Sequence, residues 1–393
     1  MSVFGALTST IDGDQAMRLP GLDVLRAIAI LWVMVFHSYL VGGVGDHLGG
    51  AEQYGWMGVD LFFVLSGFLI GTQVMRPMAT GGSLDLHGFY RRRVIRILPA
   101  FFVVLGLYAL WPAWRETPGM QPLWQFPTFS FNLLYDDSNH YAFSHVWSLC
   151  VEEHFYLLFP FAALLMWRKP SAARFMTLCA VIVLGGMALR AGLWLHYYQP
   201  ARAAADGTSG LMFLRYIYYP TYSRLDGLLA GVALAACSVF RPAWIARVHR
   251  HGHLVLLLGL ALLAGSIALF TQRVGFAATV VGYPLLSLAL MAVVAAASGG
   301  TSWLARFRVP GAGWLAAISY SLYLSHKGVF HLVDSAWGDA LGQHGLLLFG
   351  IYALTTLAGG ALLHYLVERP CLRWRDAGVR HSAPVAIAEQ VSG

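Results

Sequence analysis

The sequence predicts an all-α fold: a polytopic membrane bundle of about ten transmembrane helices, with both termini in the cytoplasm. Hydrophobic residues make up 58% of the 393 residues and charged residues only 11%, whereas soluble proteins carry about 25% charged residues. Ten apolar stretches are long enough to cross a bilayer, and they lie near residues 21–43, 57–77, 97–114, 146–167, 173–195, 216–238, 252–271, 276–298, 312–333 and 344–366.

The apolar stretches divide the chain into three expected parts. They are a cytoplasmic N-terminal tail (1–18), a membrane domain (19–376) and a disordered cytoplasmic tail (377–393). With the N-terminus inside, eighteen of the 26 Lys and Arg residues fall on the cytoplasmic side, five outside and three within spans. This bias follows the positive-inside rule and accounts for the net charge of +7, which is therefore no sign of nucleic-acid binding.

The first span carries a cation and an imidazole on one face. His37 follows Arg26 by eleven positions, which on an α-helix places the two side chains about 16 Å apart along one stripe. Polar groups in a membrane span by default face a protein interior or a watery pathway. The alternative is an arginine that snorkels to the interface and a histidine that only packs.

The second span begins with Asp60 near the predicted outer surface and contains Gly67 and Gly71, a pair typical of close helix packing. We expect Ser66 to bond to its own helix and to be structural. The cytoplasmic segment that follows holds Arg93 and Arg96 on one face, before a third span that we expect to begin at Pro99. These two guanidiniums suit an anion clamp for a phosphorylated donor, or they bind lipid phosphates.

Later spans add acidic and basic residues toward the predicted outer third of the membrane. Glu152 and Glu153 point about 100° apart on the fourth span, so one is expected to face a site. Snorkelling explains Arg190 of the fifth span. In the sixth span, Arg224 and Asp226 are two positions apart and must find partners elsewhere, with a carboxylate of the fourth span as a candidate for Arg224.

The ninth span presents a polar stripe of Ser319, Tyr323 and His326, and near the C-terminus Glu368 is expected to pair with Arg26 or with the arginine clamp. Five spans thus bring polar residues to a similar predicted depth, which packing alone explains poorly. The residues expected to meet there are His37, Asp60, Glu152, Arg224, Asp226, Tyr323 and His326.

Seven motifs occur in the order found in the integral membrane acyltransferase family 3, and the chain resembles that family from about residue 19 to 376. The motifs are Arg26 and His37 of the first span, GVDLFFVLSGFLI, FYRRRVIRILP, WSLCVEEHFYLLFP, YSRLDGLLAG, ISYSLYLSH and VERP. The sequence departs from the usual wording at Cys150 and His154, which should affect the acceptor rather than the chemistry.

The resemblance implies a multi-pass protein of the bacterial cytoplasmic membrane that acylates hydroxyls of extracytoplasmic glycans, with cytoplasmic acyl-CoA, expected to be acetyl-CoA, as co-substrate. It assigns function to Arg26, His37, Arg93, Arg96, Glu152 and Glu368. We expect no permanently bound cofactor and no metal. Many relatives carry an extra extracytoplasmic domain, so this chain is expected to act alone or with a separate partner.

Together these features predict a cytoplasmic donor site and an acceptor site toward the outside. His37 is the expected general base, oriented by Glu152, and Arg224 or Tyr323 is the expected oxyanion donor. A covalent acyl-histidine is the variant mechanism. Two alternatives remain. The protein could acylate a secondary metabolite such as a macrolide, or it could transport glycans or acyl groups. A transporter, however, usually shows repeated halves, which this sequence lacks.

Overall fold

The computed structural model describes residues 19–40, 49–136, 140–168, 170–341 and 345–381, and no β-strand occurs among them. The longer helices, in chain order, are α1 (Pro20–Leu40), α2 (Met57–Ala79), α3 (Leu86–Leu110), α4 (Trp147–Trp167), α5 (Ala172–Leu193), α6 (Asp226–Phe240), α7 (Pro242–Arg250), α8 (Gly252–Leu269), α9 (Tyr283–Ala297), α10 (Ala312–Leu341), α11 (Gly345–Leu363) and α12 (Arg369–His381). This confirms the all-α membrane bundle.

Within the described part of the chain, fewer helices than the predicted ten are long and apolar enough to cross a membrane. Eight helices among the described residues are long and apolar enough to cross a membrane, or nine if α6 and α7, which meet at 108°, form one broken span. The 30-residue α10 is long enough to cross, but polar residues such as Ser325, His326 and Lys327 reduce its hydropathy. The predicted tail at residues 1–18 lies outside the described residues.

Two predicted boundaries differ from the structure. The third span does not begin at Pro99, because α3 runs without a break from Leu86 and includes that proline. Proline is tolerated inside a membrane helix, and near Pro99 the Tyr320 hydroxyl of α10 donates to the Ile97 carbonyl oxygen at 2.8 Å. At the other end, α12 continues to His381, and the rest of the predicted tail, residues 382–393, lies outside the described residues.

The inner helices pack closely while others turn apolar side chains outward. Helix α2 lies against α1 and α6, α10 lies against α1 and α11, and α8 lies against α9. On α5 and α8, Val181, Leu184, Leu254 and Leu258 are more than half exposed. Since these helices are apolar all round, we assign their outward faces to lipid.

The predicted close contact at the glycines is confirmed. A Cβ atom at Gly67 would collide with the carbonyl oxygen of Leu228, and one at Gly231 would collide with that of Val64. The backbones of α2 and α6 therefore touch, as expected where small residues lie on both helices. This contact fixes the distance between Asp60 on α2 and the start of α6.

We expect Gly67→Val to separate α2 from α6 and to destabilise the protein by about 1–3 kcal/mol or more, because overpacking displaces backbone. Gly106→Val on α3 is the matched control, since among the described residues no atom beyond the adjacent backbone of α3 lies within 4 Å of the added Cβ. Thermal unfolding of both variants in detergent, followed by tryptophan fluorescence, measures the difference. Equal unfolding temperatures for the two variants would contradict the close packing.

Candidate functional site

Three histidine rings come together at the C-terminal end of α1. The ring of His37 lies 4.7 Å from that of His326 on α10, measured between centroids, and His326 lies 4.8 Å from His145, just before α4. His326 and His145 are buried, with exposures of 0% and 3%, whereas His37 is partly exposed. Of the three rings, His37 is therefore the one that a substrate can reach.

The hydrogen bonds of this cluster define which nitrogens carry protons. Nδ1 of His326 lies 2.6 Å from the carbonyl oxygen of Tyr323, and since a carbonyl only accepts, that nitrogen is the donor. In neutral His326, Nε2 then carries a lone pair, and it faces Nδ1 of His37 at 3.1 Å. Nδ1 of His37 also lies 3.0 Å from the Val33 carbonyl oxygen. Both neighbours accept, so neutral His37 is protonated at Nδ1, and its Nε2 lone pair has no partner among the described residues.

His145 was not identified from the sequence, although it lies in the motif before Glu152. Its Nε2 donates to the Leu324 carbonyl oxygen at 3.1 Å, and its Nδ1 is buried without a hydrogen-bond partner among the described residues. The useful signal would have been a histidine immediately before the helix that carries the acidic pair. Its ring packs on His326 and holds that ring against His37.

Tyr323 does not have the role expected for it. Its hydroxyl donates to the His145 carbonyl oxygen at 2.8 Å and lies 2.6 Å from Ser148 Oγ. The hydroxyl therefore braces the histidine cluster and is not available to an oxyanion. The helical stripe correctly placed Tyr323 beside His326, but it could not show which backbone group the hydroxyl reaches.

Glu152 does not lie against His37, which overturns the expected orienting contact. Its Oε1 accepts a hydrogen bond from Ser66 Oγ at 2.9 Å, and its Oε2 accepts from the Tyr156 hydroxyl at 2.8 Å. Ser66 therefore bonds to another helix and not to its own, contrary to our prediction. Since Ser66 lies in the middle of α2, Glu152 is deeper than the predicted outer third.

Arginines gather around this carboxylate. Arg93 donates from Nη2 to Gln73 Oε1 at 2.9 Å, and its guanidinium carbon lies 5.4 Å from the centre of the Tyr156 ring. Both Arg26 and Arg93 lie within electrostatic range of Glu152. The segment that we predicted to be cytoplasmic thus directs Arg93 into the bundle.

Arg26 and Arg96 differ in how they are paired. Arg96 forms an ion pair with Glu368 at 3.5 Å, which confirms the expected pairing of Glu368 with the arginine clamp. Glu368 is buried and also accepts from Ser321 at 2.7 Å and contacts His364 at 2.9 Å. Arg26 lies within electrostatic range of Arg96, but it is partly exposed and forms no ion pair or hydrogen bond among the described residues.

The remaining charged residues pair with each other, and two predictions about them are wrong. Arg224 pairs with Asp60 of α2 at 2.8 Å, not with a carboxylate of the fourth span. Arg190 is 1% exposed and pairs with Asp226 at 2.7 Å, so it does not snorkel. The ring of Tyr283 lies 4.2 Å from the Arg224 guanidinium. Depth alone did not reveal these partners, because pairing depends on how each helix is rotated.

The seven residues that we expected to meet therefore separate into different groups. The histidine cluster (His37, His145, His326) lies at one end of α1, and the arginine group (Arg26, Arg93, Arg96 with Glu152) lies toward the other. Asp60, Arg224, Asp226 and Arg190 form buried ion pairs that join α2, α5 and α6. Among the described residues, the histidine cluster has an imidazole nitrogen without a partner and the arginine group has a cation without an ion pair. The buried ion pairs hold the helices in place.

Comparison with known proteins bears on this arrangement. A family model described as an acyltransferase domain matches residues 19–365. A Staphylococcus aureus (strain COL) protein provisionally named an O-acetyltransferase is 27% identical over 94% of this chain and 61% of its own length. The peptidoglycan O-acetyltransferase OatA of Listeria monocytogenes is 29% identical over 80% of this chain and 50% of its own length.

A third relative, the Bacillus subtilis protein YrhL, is provisionally named a peptidoglycan O-acetyltransferase and is 29% identical over 55% of this chain and 33% of its own length. The chain thus spans about three fifths of the length of the first curated relatives that it matches. No solved structure matches the chain.

Proposed function

The chain belongs to the acyltransferase-domain family, and from that premise we propose that it is a membrane O-acyltransferase. The reaction moves an acyl group, in the first instance acetyl, from acyl-coenzyme A to a hydroxyl of a surface glycan. The observation that carries the proposal is that Nε2 of His37 and the guanidinium of Arg26, on the same helix, have no partner among the described residues.

His37 acts as the general base in this proposal. Nε2 takes the proton from the acceptor hydroxyl while the hydroxyl oxygen attacks the thioester carbonyl. The charge that forms on the imidazole is stabilised through Nδ1–H by the Val33 carbonyl oxygen and by Nε2 of His326. The tetrahedral intermediate expels the thiolate of coenzyme A, which receives the proton back from His37. His326, with no exposed surface, positions the ring and does not touch substrate.

The donor's phosphates are assigned to the arginine group. A partly exposed guanidinium without a carboxylate partner is suited to a phosphate, which it can bind through two parallel hydrogen bonds. Arg26 meets this condition best, whereas Glu368 already neutralises Arg96. Along α1, Arg26 and His37 are about 16 Å apart, so the extended pantetheine arm would lie between the two groups.

The acceptor and the orientation follow from the names of the relatives and from the distribution of basic residues. The bias of basic residues supports cytoplasmic termini and a donor that enters from the cytoplasm of a bacterium. The names of two relatives refer to peptidoglycan, which makes a cell-wall sugar the first acceptor to test, ahead of exopolysaccharide or lipopolysaccharide. An extracytoplasmic partner that presents the acceptor also belongs to the proposal.

We expect His37→Ala to reduce acyl transfer by about 10²- to 10⁴-fold, the usual effect of removing a general base. His326→Ala should cost less, because the Val33 carbonyl still accepts from Nδ1. The measurement is ester-linked acetate released from envelope glycans of a deletion strain that expresses each variant at matched membrane abundance.

His196→Ala is the control for that experiment, since this exposed histidine lies outside the cluster. Normal ester content with His37→Ala and none with His326→Ala would move the base to α10. Normal ester content in the uncomplemented deletion strain would contradict the proposed reaction itself.

For the donor, we expect Arg26→Gln and Arg93→Gln to raise the KM for acetyl-CoA by about ten- to a hundredfold, because a hydrogen bond to a charged group contributes about 1.5–3 kcal/mol. Arg96→Gln should have a smaller effect, since Glu368 shares its charge. Labelled acetyl-CoA titrated into membrane vesicles gives the KM, with the exposed Arg91→Gln as control. An unchanged donor KM in the first two variants would contradict the assignment.

A further inference from the structure

A cavity of about 550 Å³ opens at the His37 end of α1, apart from the residues discussed so far. Its walls come from the segment before α4, from the connection between α5 and α6, and from the turn after α8. Its lining includes Tyr141, Asp206, Thr208, Phe213 and Arg273. The volume falls in the range of about 300–1,000 Å³ that small-ligand sites occupy. The mixture of aromatic rings and hydrogen-bonding groups suits a sugar better than an acyl chain.

Arg273 joins this cavity to the histidine cluster. Its guanidinium carbon lies 5.5 Å from the ring centre of Phe36, the residue next to His37, and 4.8 Å from that of Trp56. It also lies 5.0 Å from the ring centre of Tyr218 and within electrostatic range of His37. The cation is thus held by aromatic faces at the point where the cavity meets the base.

Arg273 has no neutralising partner among the described residues. No carboxylate of the described residues forms an ion pair with it, and Asp60, which lies within electrostatic range of Arg273, is already paired with Arg224. A half-buried guanidinium without a counter-ion is unfavourable in an apolar surrounding, and its planar fork fits a carboxylate or a phosphate. Among the described residues Arg273 thus has no counter-ion, although Asp206 lines the same cavity, and an anionic ligand could supply one.

Asp206 provides a second polar contact. Its Oδ1 accepts from the backbone N and from Oγ1 of Thr208, at 2.9 and 2.7 Å. Its Oδ2 has no hydrogen-bond partner among the described residues. A carboxylate held in this way can accept hydrogen bonds from sugar hydroxyls without losing its orientation.

From these contacts we propose that the cavity is the subsite for the acceptor sugar and that Arg273 binds an anionic substituent of it, a carboxylate or a phosphate. The inference rests on the proposed acyl transfer and specifies its acceptor. The anion on Arg273 and hydroxyls on Asp206 would hold the sugar ring in the cavity with another hydroxyl directed to His37. Neutral sugars would lack the first of these contacts.

The test uses three probes with one scaffold: methyl β-D-glucuronide, methyl β-D-glucoside 6-phosphate and the neutral methyl β-D-glucoside. Their dissociation constants for purified protein in nanodiscs are measured by saturation-transfer NMR titration. We expect the wild type to bind at least one anionic probe about tenfold more tightly than the neutral one, which equals about 1.4 kcal/mol. The tighter anion identifies the carboxylate or the phosphate as the natural group.

Three variants assign that preference to a residue. Arg273→Gln should remove the preference for the anion, and Arg273→Lys should retain part of it. Arg202→Gln, at an exposed arginine of the same connection, should leave it unchanged. Equal binding of all three probes by the wild type would overturn the subsite. So would a preference for the anion that survives Arg273→Gln in protein with a normal unfolding temperature.

A parallel assay of acyl transfer in the same nanodiscs separates this inference from the proposed function. If the wild-type protein discriminates between the probes but transfers no acyl group to envelope glycan, the subsite stands and the proposed reaction is wrong. If the protein is active but does not discriminate between the probes, the reaction stands and the subsite is wrong.

Discussion

The structure depends on one constraint, which is that a charged group inside a membrane bundle must find a partner. Asp60 with Arg224 and Asp226 with Arg190 meet this requirement within the protein. Breaking such a buried pair leaves an uncompensated charge, which typically costs about 3–5 kcal/mol. These pairs therefore fix α2, α5 and α6 relative to each other, and they separate structural charges from the ones left for ligands.

The polar groups that have no counter-charge or hydrogen-bond partner among the described residues mark the functional regions. Arg26 lies near one end of α1, the free nitrogen of His37 lies near the other, and Arg273 lies beside His37 at a cavity. A single helix thus connects the proposed donor site to the proposed acceptor site. The hydrogen bonds of His37 to Val33 and His326 engage Nδ1 and leave the Nε2 lone pair without a partner among the described residues, which is what a base for an external hydroxyl requires.

The sequence was sufficient for the fold class, for the helix that carries Arg26 and His37, and for the close contact at Gly67. It failed for Glu152, Arg190 and Arg224, because hydropathy gives the depth of a residue but not the rotation of its helix. The sequence also did not show which distant segments of the chain contact each other. His145, Ser66 and Arg273 acquire their neighbours only when helices far apart in the chain pack together.

The protonation of His37 is the property on which the account rests most directly. Solid-state ¹⁵N NMR of histidine-labelled protein in bilayers distinguishes Nδ1–H from Nε2–H imidazole, and comparison with His37→Asn assigns the His37 signal among the 15 histidines. The account predicts neutral His37 with the proton on Nδ1. When His326 is replaced, the proton should move to Nε2 in only a minority of molecules, because the Val33 carbonyl oxygen still accepts from Nδ1. A His37 signal from Nε2–H imidazole in the wild type would contradict it.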